Sequence, residues 1–168
     1  TLIDDMIETM REAPGVGLAA PQIDVPWQVI VLEDRAELIS NLNEVEKQER
    51  ERSAFAVRVF INPVLTPVGS DRATFFEGCL SVKGYVGLVE RSREVEVTGL
   101  DEHAQRQTWR VKGWPARILQ HEVDHLDGSL FVDRVKDPRS LCTWQEFERH
   151  HKPVFVAEVG AIVAKWGS

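Results

Sequence analysis

Apolar residues fall at two periods along this chain, and the change of period divides it. Leu2, Ile3, Met6, Ile7 and Met10 recur at helical spacing, and Pro14-Gly15 stops that helix. Gly15 to Gln22 (GVGLAAPQ) is a tight segment of small residues, and Gln28 to Leu32 reads as a short buried strand. Glu33 to Ser53 is dense in charge and is expected to be a loop carrying a solvated helix, with Leu38, Leu42 and Val45 on its inner stripe. Phe55, Val57, Val59 and Ile61 alternate, which predicts a strand closed by Asn62-Pro63. Strands are also expected at 74–82, 85–89, 94–100 and 106–111, the last two joined by a turn over Asp101 to Ala104.

The period then lengthens. Trp114, Arg117, Ile118, His121 and His125 follow helical spacing, Pro115 suits a first helical position, and Gly128 suits the residue just past the end. From Thr143 a further helix is plausible, and an apolar run from Val154 to Val163 has no assignment. Strands are grouped, helices lie toward the ends and no βαβ alternation is present, so the fold class is α+β. One domain is expected for 168 residues, with a tail beyond about residue 140 of unassigned structure.

Composition narrows the partners. Twenty basic residues against 27 acidic ones leave a net charge of −7, which argues against a nucleic-acid-binding face or a polybasic membrane anchor. Two cysteines, Cys79 and Cys142, are too few for a disulfide framework and fit a reducing compartment, where a lone Cys is more often a ligand or nucleophile. No apolar stretch approaches the ~18 residues of a membrane span, and no signal or transit pattern is visible. The chain opens at Thr1 inside a helical pattern without an initiator Met, so a preceding segment, with any targeting information, is expected.

The chemistry concentrates in His121-Glu122-Val123-Asp124-His125. On a helix, residues four apart share a face, so two imidazoles can bind one ion, and Glu122 can reach a water at that ion. A surface helix with two unrelated His residues is the bland alternative. Flanking Ile118, Leu119, Val123 and Leu126 make this helix buried, where unpartnered His and Glu are costly. A third ligand is needed, with one position left open. An extended motif fails because position 131 is Phe131. Glu146 or Glu148 would give a thermolysin-like site, and Cys79, in EGCLSV, would give a thiolate one. Residue chemistry leans toward Cys79 without excluding Glu146. GVGLAA also fits a dinucleotide fingerprint, but a helix precedes it and Pro21 follows, so that reading is rejected.

Three blocks stand in order: GVGLAAPQ at 15–22, EGCLS at 77–81 and HEVDHL at 121–126. Together they resemble the three signature motifs of peptide deformylases, over nearly the whole chain to about Val135. The resemblance implies small antiparallel or mixed sheets around a central helix that carries the H-E-x-x-H motif. It implies one divalent ion held by Cys79, His121 and His125, with Fe(II) in the cell and Zn, Ni or Co also accepted by that donor set. It makes Glu122 the proton carrier, with the side-chain amide of Gln22 and the backbone N–H of Leu80 as oxyanion donors. The implied substrate is a nascent chain or peptide beginning with N-formylmethionine, hydrolysed near the ribosome to formate and a free amine. Val16, Gly17 and Gly78 would pair with the peptide backbone, Phe75, Trp114 and Ile118 would line a pocket for the Met side chain, and Glu77 and Arg91 would form a supporting ion pair. The implied compartment is a bacterial cytoplasm, or a mitochondrion or plastid if a transit peptide precedes these residues. Asp24 departs from a Gly common in the family, and the charged insert is longer than in the shortest members. Two other functions compete: a zinc peptidase using Glu146, and a non-catalytic metal-binding module indifferent to loss of the Glu122 carboxylate.

Overall fold

The computed structural model describes residues 1–40 and 42–152, without the side chain of Val45. Its first element, α1 (Leu2–Glu12), starts at an N-cap where the Thr1 side chain accepts from the Asp4 N–H. β1 (Gly17–Ala19) and a 3₁₀ turn (Ala20–Ile23) follow, then β2 (Val29–Asp34), α2 (Ala36–Ser40) and α3 (Glu44–Glu49). Strands β3 (Phe55–Pro67), β4 (Arg72–Cys79), β5 (Val82–Ser92), β6 (Glu94–Leu100) and β7 (Arg106–Lys112) lead into α4 (Trp114–Leu126). α5 (Phe131–Arg134), β8 (Cys142–Thr143) and α6 (Trp144–Glu146) follow, and a π-helical turn (Phe147–His151) continues α6. The α+β expectation holds, and every strand pairing is antiparallel.

The strands form two sheets, ordered β1-β2-β3-β6-β7 and β4-β5-β8. Side-chain alternation in the first sheet divides the core. Val29, Val31 and Val59 pack with Met6 and Met10 of α1, while Ile30, Leu32, Phe60, Val95 and Val97 pack with Ala116, Ile118 and Leu119 of α4. The opposite side of α4 meets β4 and β5, so this helix sits between the sheets and turns Arg117, His121 and Asp124 to the second. That position explains why the helix reads as buried although its second stripe carries Arg, His and Asp.

Four sequence expectations need correction. β2 runs on to Asp34, because its charged end is satisfied: Arg11 holds Glu33 at 2.8 Å and Arg52 holds the fully buried Asp34 at 2.7 Å. In the charged insert the buried apolar residue is Ile39, with Leu38 and Leu42 only half-buried, and the side chain of Val45 lies outside the described residues. β3 does not stop at Asn62-Pro63. It passes through them by a bulge between Ile61 and Val64, with Asn62 in the left-handed region at φ 50°. The run over 74–82 is broken by a tight turn at Leu80-Ser81, which makes β4 and β5 a hairpin. The unassigned run from Val154 to Val163 lies outside the described residues. Among the described residues no helix is long and apolar enough to cross a membrane.

Candidate metal centre and active site

The hairpin turn brings Cys79 to the end of β4, facing α4. His121 and His125 lie one helical turn apart on that helix. The thiol and the two rings offer ligand atoms within 4.8 Å of one another, with Cys79 Sγ 3.3 Å from His125 Nε2. Glu146, the rival third ligand, is elsewhere: its carboxylate lies 3.3 Å from His150 Nε2. The cluster is held from behind. Glu77 Oε2 lies 3.1 Å from His121 Nδ1, which leaves the other ring nitrogen for an ion. Arg91 grips Glu77 through Nε and Nη2 at 3.0 and 2.8 Å and reaches Asp124 at 2.6 Å through Nη1. Arg117 also donates to Glu77 and to the carbonyls of Val89 and Ala73, and Arg134 closes the far side of Asp124 at 2.7 Å.

These contacts set the charges. Burial disfavours an ionised Glu77, yet hydrogen bonds from His121 and Arg91 and the charge of Arg117 hold it down at about 2. Burial also resists a Cys79 thiolate, but hydrogen bonds from His121 and His125 bring the thiol down to about 5. His121, opposed by burial, is raised to about 10 by Cys79 and Glu77. Without an ion the Cys79 thiolate therefore faces a protonated His121 ring backed by the Glu77 carboxylate, and an ion bound there would displace that ring proton. Glu122 has the reverse balance. Burial pushes its carboxyl up to about 7 against the pull of His121 and His125, and its Oε2 is buried without a hydrogen-bond partner. An unpartnered carboxylate oxygen beside three converging soft and nitrogen donors fits a divalent ion with its water.

Gly17 makes room for that carboxylate. A Cβ there would overlap the Glu122 side chain from Cγ to Oε1, so the close approach of β1 to α4 calls for glycine. Gln22 uses both ends of its amide. Its Oε1 accepts from Ala19 N–H at 2.9 Å within its own loop, and its Nε2 donates to Ser81 Oγ at 3.0 Å and lies 3.7 Å from Cys79 Sγ. Asp24 sits at φ 63°, the left-handed conformation that a glycine would take there and that Asp tolerates.

A cavity of about 660 Å³ opens onto this centre. Its walls include Val16, Gly17, Gln22, Gly78, Leu80, Trp114, Ile118 and Glu122, so most of the expected site residues converge. Phe75 does not line it. That ring lies under the Arg117 guanidinium, 4.9 Å from it, and the cavity wall is the adjacent Phe76. Four further residues stand at the site beyond those expected from the sequence: Arg117, Ser81, and Arg50 and Arg52, whose guanidinium carbons stand 5.1 and 4.8 Å from the Trp114 ring. Arg117 was detectable: an arginine four residues before His121 on a buried helix needs a carboxylate.

The sequence profile of the family described as polypeptide deformylase matches residues 1–140. The chain belongs to the polypeptide deformylase family. Peptide deformylase 1A, chloroplastic/mitochondrial, of Arabidopsis thaliana is 54% identical over 142 residues, covering 84% of this chain and 52% of that protein. A class I type b peptide deformylase from Acinetobacter baumannii, solved with Met-Ala-Ser bound, superposes with a TM-score of 0.69 at 38% identity, over 80% of this chain and 79% of that one. The Synechococcus elongatus peptide deformylase in complex with actinonin gives 0.68 at 38% identity, over 82% and 65% of the two chains. The chain spans about half the length of the plant deformylases it matches. Organellar and bacterial proteins both stand among its relatives.

Proposed function

We propose that this chain hydrolyses the N-formyl group from peptides and nascent chains that begin with formylmethionine, releasing formate. One observation carries the reading: Cys79, His121 and His125 converge beside a buried, unpartnered Glu122 carboxylate in a cavity large enough for a peptide end. A divalent ion bound by those three side chains would supply Lewis acidity, activating a water and polarising the formyl oxygen. Glu122 takes the proton from the attacking water as its oxygen bonds the formyl carbon. It returns the proton to the nitrogen as the C–N bond breaks. Burial raises the Glu122 carboxyl above the ordinary carboxylate range, which suits it to accept and return a proton. Gln22 Nε2 and the Leu80 N–H donate to the developing oxyanion.

Backbone edges favour an extended substrate. β1 ends the first sheet and β4 ends the second, and both border the cavity at Gly17 and Gly78. A peptide added as a strand there would pair with Val16, Gly17 and Gly78 and send its Met side chain between Trp114 and Ile118. The Acinetobacter relative holds Met-Ala-Ser, and a free Met terminus of that kind is the product expected here. We take Fe(II) as the native ion and the ribosome's vicinity as the setting, in a bacterial cytoplasm or an organelle of bacterial descent.

The test is formate release from formyl-Met-Ala-Ser with metal analysis on the same sample. One ion per chain and turnover are expected, and Glu122→Gln should lose about 10²–10⁴-fold in rate while keeping the ion. Full activity in Glu122→Gln, or in a Cys79→Ala variant, would reject this mechanism.

A further inference from the structure

Two donors in the wall of the cavity are left without acceptors. Arg50 Nε and Trp114 Nε1 are both buried, and neither has a hydrogen-bond partner among the described residues. Both residues line the cavity, and the Arg50 guanidinium carbon stands 5.1 Å from the centre of the Trp114 ring. Arg52 stands over the same ring but is already held by Asp34 through two hydrogen bonds, at 2.7 and 2.9 Å. Arg50 has no such carboxylate among the described residues, and burial works against its charge. Its place is set by the backbone. A Cβ on Gly113 would overlap Glu51 Cβ and the Arg50 carbonyl oxygen, so the end of α3 is pressed onto the start of α4. Donors held there without partners cost stability until something brings them an acceptor.

Distance along α4 indicates what would meet them. Trp114, Ile118 and His121 all line the cavity, and Trp114 precedes His121 by two helical turns, about 10 Å along the axis. An extended formylmethionine with its formyl carbon at the centre therefore ends with its thioether at the indole. A thioether is a weak acceptor and leaves both N–H groups unmet. The same side chain with one oxygen added to its sulfur is polar, and carries a strong acceptor at that depth. Being neutral, it also avoids the cost of bringing an ion between Val16, Trp114 and Ile118. We propose that this end of the pocket accepts methionine sulfoxide, with Arg50 and the Trp114 indole N–H donating to the sulfoxide oxygen, so that chains beginning with formylmethionine sulfoxide are substrates as well. The hydrolysis is unchanged: water adds to the formyl carbon, the C–N bond breaks, formate and a free amine form, and the sulfoxide passes through intact. This rests on the deformylase reading and widens its substrate class.

The test measures formate release from formyl-Met-Ala-Ser, from its sulfoxide and from the norleucine analogue, in which CH₂ replaces sulfur. The proteins are metal-loaded wild type, Arg50→Met and Trp114→Phe. A pocket without donors would lose about tenfold or more on the added oxygen, so wild type is expected to hold the sulfoxide-to-thioether ratio of kcat/KM above about one in ten. Arg50→Met should lower that ratio about tenfold, through KM for the sulfoxide, because a hydrogen bond from a charged donor is lost. Trp114→Phe keeps a ring without the N–H and should lower it about threefold. The norleucine-to-thioether ratio should stay put in Arg50→Met. Each ratio is read on one preparation, so a loss of folded protein cancels. A wild-type ratio below about one in ten, or a ratio that Arg50→Met leaves unchanged, would overturn the proposal. Formate from none of the three peptides would remove the hydrolase reading itself, a result distinct from turnover of the thioether alone.

Discussion

At the scale of single residues, the site depends on one missing side chain as much as on those present. Gly17 lets β1 pass close enough to α4 that Glu122 fills the space a Cβ would need. Gly17→Ala is therefore expected to displace the carboxylate from the cluster without touching a ligand. Turnover should fall toward that of Glu122→Gln, while the ion stays bound and the overpacking costs about 1–3 kcal/mol of stability. Metal content, formate release and a denaturant melt on one preparation check this, and retained turnover would show that Glu122 can act from another position. Gln22 serves its own loop and the centre with one amide. One end of its amide holds its own loop and the other faces the thiol, so loop order and donor placement are a single arrangement.

At the scale of elements, α4 works because each sheet meets a different side of it. Its apolar stripe is fixed by the first sheet, and its polar stripe is fixed by Glu77 and Arg91 on the hairpin. Glu77→Gln should loosen His121 and weaken metal affinity about 10–100-fold. The same carboxylate sets an acid limit. Its folded pKa, about 2, lies below the ordinary 4.5, so its stabilisation is complete above about pH 4.5 and is lost as pH falls toward 2. Metal-free protein should therefore melt at progressively lower temperature across that window, and Glu77→Gln should flatten the slope. Much of this was legible in the sequence: i,i+4 histidines, a small-residue block and a cysteine with small neighbours are local signals. What was not legible depends on distant partners. The turn at Leu80-Ser81 lies inside a run of strand-forming residues and is set by the need to point Cys79 at α4. The β3 bulge at Asn62 follows from pairing with β6 beyond it, and the charged end of β2 is strand only because Arg11 and Arg52 arrive from elsewhere. An aromatic ring at Phe75 suits an apolar pocket wall, but here the Arg117 guanidinium stands over that ring.

At the scale of the whole molecule, the ligand set joins the two sheets. Cys79 comes from the hairpin, and His121 and His125 come from the helix packed on the five-stranded sheet. An ion bound there would stabilise the fold by about 4 kcal/mol at a thousandfold excess over its dissociation constant. Chelation should lower the melting temperature, and added Ni or Co should restore it; an identical melt before and after chelation would mean that the ion is not structural. The two open strand edges have a further consequence on the proposed binding mode. A guest that must lie flat between β1 and β4 has to offer several residues of bare backbone at once. An amino terminus already tucked into its own domain has none to offer. Deformylation would then be a race against folding: proteins whose first strand or helix is captured early would keep their formyl cap, and slow folders would lose it.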